Sequence, residues 1–128
     1  MKKILLIVSL LLVTTFCHSQ SFNKVIKATF IKYVNGRWID GESSYPDNMF
    51  IIMEGSEIKI TNNVESKFVT YGECQKINNK DFTCYTWNCY DKKGNDCTFM
   101  MKKPYEGNTL VFMFIYSSIN FGLEYVTE

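Results

Sequence analysis

Residues 81–102 read DFTCYTWNCYDKKGNDCTFMMK. Two runs rich in aromatic and β-branched residues, Asp81–Tyr90 and Asp96–Lys102, flank Asp91-Lys92-Lys93-Gly94-Asn95. Such runs favour extended backbone. A three-residue loop ending in glycine predicts a type I turn closed by a G1 bulge. Lys92, Lys93 and Gly94 then form the loop, Asp91 faces Asn95, Tyr90 faces Asp96, and Cys89 faces Cys97. Side chains alternate along strands. Tyr85, Trp87, Cys89, Cys97, Phe99 and Met101 therefore share an apolar, core-facing side, and Cys84, Thr86, Asn88, Tyr90, Asp96, Thr98 and Lys102 share a wet one.

The same reading extends to Lys67–Lys76, with Asn78-Asn79-Lys80 as the loop to Asp81. That register pairs Ile77 with Asp81 and sets Cys74 opposite Cys84. Cys84 and Cys89, five residues apart on one strand, are separated by about 16 Å, beyond the ~7 Å limit for a disulfide. The third connectivity joins opposite sheet faces. The expectation is two hairpin disulfides, Cys74–Cys84 and Cys89–Cys97, each contributing about 2–3 kcal/mol to a small core.

Moving outward, Arg37–Ser44, Asn48–Glu54, Ser56–Asn62 and Asn120–Val126 read as further strands. Thr109–Tyr116 is continuously apolar, as expected of a strand covered on both faces. Phe22–Val34 carries apolar residues at helical spacing but is also β-branched and ends in Asn35-Gly36, a strong hairpin signal. A strand from Lys24 to Val34 is expected, with a helix as the alternative. The whole reads as all-β, an antiparallel meander of about eight to nine strands closed as a small barrel or sandwich.

The first nineteen residues read as a signal peptide: basic Lys2 and Lys3, the apolar run Ile4–Val13, and a polar stretch to a cleavage point after Ser19. The run is shorter than the ~20 residues of a membrane span, and no later run is longer. The expectation is a secreted or periplasmic single domain, residues 20–128, with a lipoprotein through Cys17 as the lesser alternative because bulky Phe16 precedes that cysteine. Loss of Lys2 and Lys3 leaves 12 basic residues against 13 acidic ones, a net charge of −1. That balance carries no nucleic-acid footprint. The single histidine, His18, leaves with the leader. Histidine-based nucleophilic catalysis and the commonest zinc ligand leave with it.

Remaining chemistry is sparse. Asp91, Asn95 and Asp96 bear oxygen ligands but lack the alternating carboxylates and distal glutamate of a calcium loop, so no metal and no cofactor is expected. Asp40 and Glu42, with Asp47 near them, are the best carboxylate cluster; two acids about 7 Å apart along one strand face suit glycoside hydrolysis. Tyr45, Tyr71, Tyr90 and Tyr105 are the aromatics expected at the surface, where rings stack on sugars or partners; Trp38, Tyr45, Tyr71 and Tyr90 are the candidate ligand-binding residues.

Gly36-Arg37-Trp38 resembles the G-x-W of calycins, the lipocalin-like ligand-binding barrels. That resemblance implies an up-and-down barrel plugged at one end by Trp38, with a small apolar ligand at the other. The strand rhythm, the Asp91–Cys97 turn and the late apolar strand also resemble small secreted bacterial proteins of unassigned function. The expectation is a non-enzymatic binding module for a small apolar ligand, a glycan or a protein, with a small carboxylate hydrolase acting on glycans as the alternative. A cavity inside the barrel favours the apolar ligand; a solid core with exposed tyrosines favours the other two.

Overall fold

The computed structural model describes residues 20–128; the leader, with Cys17 and His18, lies outside the described residues. Nine antiparallel strands follow in order: β1 (Gln20–Val34), β2 (Arg37–Ser44), β3 (Phe50–Glu54), β4 (Glu57–Thr61), β5 (Glu65–Asn78), β6 (Phe82–Asp91), β7 (Asp96–Pro104), β8 (Val111–Tyr116) and β9 (Phe121–Thr127). A 3-10 turn at Ser117–Ile119 links the last two.

β1 is a strand throughout. The β-branched residues of this stretch favour that state, and Asn35 and Gly36, both at positive φ (51° and 83°), turn it back on β2 in the hairpin geometry that twisted strands require. Its fifteen residues serve three neighbours. Gln20–Lys24 pairs with β3, Val25–Lys32 with β9, and Ala28–Val34 with β2. The β1–β9 ladder closes β1 and β3–β9 into an eight-stranded barrel, and β2 stays outside, hydrogen-bonded to β1 alone. The architecture is a barrel and not a sandwich.

The barrel interior is filled. Val25, Ile51, Ile58, Ile60, Phe68, Cys89, Cys97, Phe99, Phe112, Phe114 and Tyr125 form one buried cluster. Its centre is a run of stacked rings: Trp87 on Phe99 at 5.2 Å, Phe99 on Phe114 at 5.0 Å, and Phe114 on Phe68 at 4.2 Å. β8 is buried on both faces as its continuous apolarity predicts: Phe112 and Phe114 belong to the core cluster, and Met113 between them is also buried.

The two hairpins read from sequence fare differently. At Asp91–Asn95, Gly94 takes φ 82°, and Tyr90 faces Asp96 and Cys89 faces Cys97 as expected. At 78–82 the register is corrected. Asn78 faces Thr83 and Ile77 faces Cys84. The stretch contains no glycine to take the left-handed residue of a G1 bulge. A longer turn forms instead, held by Asn79 N–H to the Phe82 carbonyl, Asp81 N–H to Asn79 Oδ1, and Thr83 Oγ1 to Asn78 Oδ1. Cys74 is displaced further by a bulge: Gly72, at φ 75°, Glu73 and Cys74 lie between the Tyr71–Asn88 and Gln75–Thr86 pairs. Cys74 is thus exposed and does not face Cys84, and Cys84 is buried where a wet position was expected.

Gly122 leaves the space that lets β1 lie tight on β9. A Cβ there would stand 2.9 Å from Ile31 Cγ1 and 3.0 Å from the Phe114 carbonyl oxygen, and a backbone oxygen cannot move aside. Gly122→Ala is expected to destabilise the fold by about 1–3 kcal/mol, and Phe99→Ala by about 3–5 kcal/mol. Urea unfolding followed by tryptophan fluorescence reads both; a Gly122→Ala midpoint equal to that of the parent would contradict this account of the closure.

Candidate functional site

Register places several turns at one end of the barrel. Thr61 faces Glu65, Phe68 faces Asp91, and Tyr116 faces Phe121. The turns that follow Thr61, Asp91 and Tyr116 therefore gather at one mouth, and Lys32 faces Phe121 there from β1. A cleft of about 1030 Å³ opens at this mouth. Its lining runs from Leu123 and Phe121 past Tyr116 and Ser117–Ile119, over the Asp91–Asp96 turn and Cys97, to Asn88, Tyr71, Phe68 and Lys67.

Asp91 organises this end. Its Oδ1 accepts the backbone N–H of Lys93 and of Asn95, both at 2.9 Å, and its Oδ2 accepts Asn95 Nδ2 at 3.2 Å and the Tyr116 hydroxyl at 3.1 Å. Burial pushes the carboxyl pKa up, but the donors from Asn95, Tyr116 and Lys93 outweigh it and hold the group below its ordinary value. Tyr116 is pushed up in turn, first by burial and then by the sulfur and carboxylate beside it. An aspartate with both oxygens committed to a turn is a structural clamp. Among the described residues no cluster of three His, Cys, Asp or Glu side chains that could hold a metal is found.

Beneath the clamp lie Cys89 and Cys97, directly opposite each other with Sγ atoms 2.6 Å apart. No pair of the described cysteines stands at the disulfide bonding distance of about 2.05 Å. Their mutual contact pushes Cys89 up, with burial adding to it, and draws Cys97 down.

The four aromatics expected to bind do not form one site. Tyr71 and Tyr90 come together, exposed and stacked at 6.1 Å, and the Tyr71 hydroxyl donates to Asp96 Oδ1 at 3.1 Å. That bond raises the Tyr71 pKa. Tyr45 is exposed in the link between β2 and β3, and Tyr105 is exposed after β7. Trp38 corrects the calycin expectation. It lies on β2, outside the closed barrel, with its ring 5.4 Å from that of Tyr33, and so plugs nothing. Asp40 and Glu42 sit on the same fully exposed strand. The register shifts between Ser43 and Asp40, so that Gly41 and Glu42 fall between the Thr29–Ser43 and Ile31–Asp40 pairs. This breaks the simple alternation that had set the two acids on one face. Neither they nor Asp47 line the cleft.

Tyr116, Phe121 and Lys67 were not singled out from sequence. A hydroxyl-bearing ring ending the apolar run 110–116 is the signal for the first; nothing local marks the other two. No family model, curated protein or solved structure matches the chain. The likeness to calycins extends to the antiparallel barrel form and no further.

Removing the clamp has a pH signature. Asp91→Ala is expected to cost about 1–2 kcal/mol at neutral pH through the donors it orphans. A carboxylate with a lowered folded-state pKa stabilises above its unfolded value near ~4 and loses that contribution as pH falls through the folded value. The gap between the parent and Asp91→Asn in urea midpoint should therefore narrow on going from about pH 6 to about pH 2.5; a gap independent of pH would show that the charge contributes nothing.

Proposed function

We propose that this chain is an exported, non-enzymatic recognition domain that takes a glycan against the Tyr71–Tyr90 pair and the adjoining cleft. The observation that carries this reading is the contrast between a filled barrel and an aromatic surface. Stacked rings occupy the interior, which disfavours an apolar ligand held inside. Outside it, two exposed tyrosine rings stand together, with Asp96 fixing one hydroxyl. Tyr71, Asn88, Asp96 and Lys67 line one side of the cleft. Flat rings beside fixed donors and acceptors suit a pyranose, which offers an apolar face and a hydroxyl-bearing edge. The hydrolase alternative loses support because Asp40 and Glu42 lie on an exposed edge strand and do not line this cleft.

A second reading, a protein partner, draws on a different surface. Phe30, Val34 and Ile39 are exposed on one face of the β1–β2 overhang, a concentration of apolar side chains typical of interaction patches.

Titration calorimetry with glycans retained from an array separates the two. Tyr71→Ala and Tyr90→Ala are each expected to weaken glycan affinity about tenfold, equivalent to ~1.4 kcal/mol, with no change from Trp38→Ala. No retained glycan, or equal affinity in all three variants, would overturn the glycan reading.

A further inference from the structure

We infer that Cys89 and Cys97 form a thiol–disulfide exchange site open to small-molecule disulfides through the cleft, with Cys97 as the sulfur attacked and attacking first and Cys89 as the resolving sulfur. Three observations combine. The two residues are direct cross-strand partners, with sulfurs 2.6 Å apart and so nothing between them. The pair is asymmetric: Cys89 has no exposed surface, whereas Cys97 retains 6% and lines the cleft. The remaining two cysteines are not cross-strand partners of this pair: Cys84 faces Ile77 and Lys102, and Cys74 lies in the β5 bulge.

The chemistry balances with a named oxidant. The Cys97 thiolate attacks one sulfur of a low-molecular-weight disulfide and expels a thiolate, which takes up the proton Cys97 released. Cys89 then loses its proton to solvent and attacks the Cys97 sulfur of the mixed disulfide, expelling the second small thiolate, which is protonated in turn. Two protein thiols are oxidised to one disulfide, and one small disulfide is reduced to two thiols. Access decides the order, because a sulfur with no exposed surface cannot meet the first reagent. The contact that draws Cys97 toward its thiolate works in the same direction.

The test uses residues 20–128 carrying Cys74→Ser, fully reduced and then exposed to oxidised glutathione under native conditions. Lys92 and Lys93 lie between the two sulfurs, so tryptic cleavage separates their peptides and fragmentation distinguishes Cys89 from Cys84. The expected product has lost two hydrogens, with Cys89 linked to Cys97. Added Cys89→Ser should stop at a glutathione adduct on Cys97, and added Cys97→Ser should leave Cys89 unmodified. If a serine variant does not fold, the time course of the Cys74→Ser chain reads the order, with a transient adduct expected on the Cys97 peptide alone. Free thiols at both positions after exposure, a link through Cys84, or an adduct first on Cys89 would overturn the assignment.

Discussion

Everything in this barrel hangs on β1 being long enough to serve both ends of the sheet. Its first five residues hydrogen-bond to β3 and the next eight to β9. The β3 ladder ends at Lys24, and a bulge between Val25 and Lys27 lies at the start of the β9 ladder. Without that switch the meander would be an open sheet with two unpaired edges, the arrangement most prone to unwanted strand pairing. The switch also explains β2. Once the second half of β1 is committed to β9 on one edge, its other edge is left over, and the Asn35-Gly36 turn fills it with the next segment of chain.

The packed interior sets how the rest of the barrel is arranged. In larger barrels inward side chains leave a cavity, but eight strands give a lumen that side chains can close. Here Phe68 of β5 and Phe114 of β8 meet across it. The mouth is shaped by one carboxylate, Asp91, which ties the β6–β7 turn to the end of β8. The same turn carries the tyrosine–aspartate contact on the outer wall and lies above the cysteine pair, so one short loop links all three surface features.

How much of this was legible depended on glycine. At Gly94 the loop length, the register and the opposition of Cys89 to Cys97 could all be read, because only one common turn puts glycine there. At Asn78-Asn79-Lys80 no glycine anchors the geometry, and side-chain hydrogen bonds chose a different turn. At Gly72 the residue itself was the sign of a bulge, and overlooking it cost the position of Cys74. Strand boundaries, by contrast, followed from β-branched and aromatic patterning almost everywhere. The choice between barrel and sandwich is a contact between the first and last strands, which no local pattern encodes. Trp38 misled for the same reason: a triplet records a turn and a ring, but not whether the strand bearing them lies inside the closed barrel.

That end-to-end closure has a consequence for how the protein comes into being. Most neighbours in the meander are adjacent in the chain and can pair as each hairpin appears, at little cost in loop entropy. Two ladders are exceptions: β1–β3, which passes over β2, and β1–β9, which spans nearly the full length. A chain delivered from its amino terminus waits with half of its first strand unpaired on that edge until residues 121–127 arrive. The barrel is therefore incomplete until its last strand has emerged.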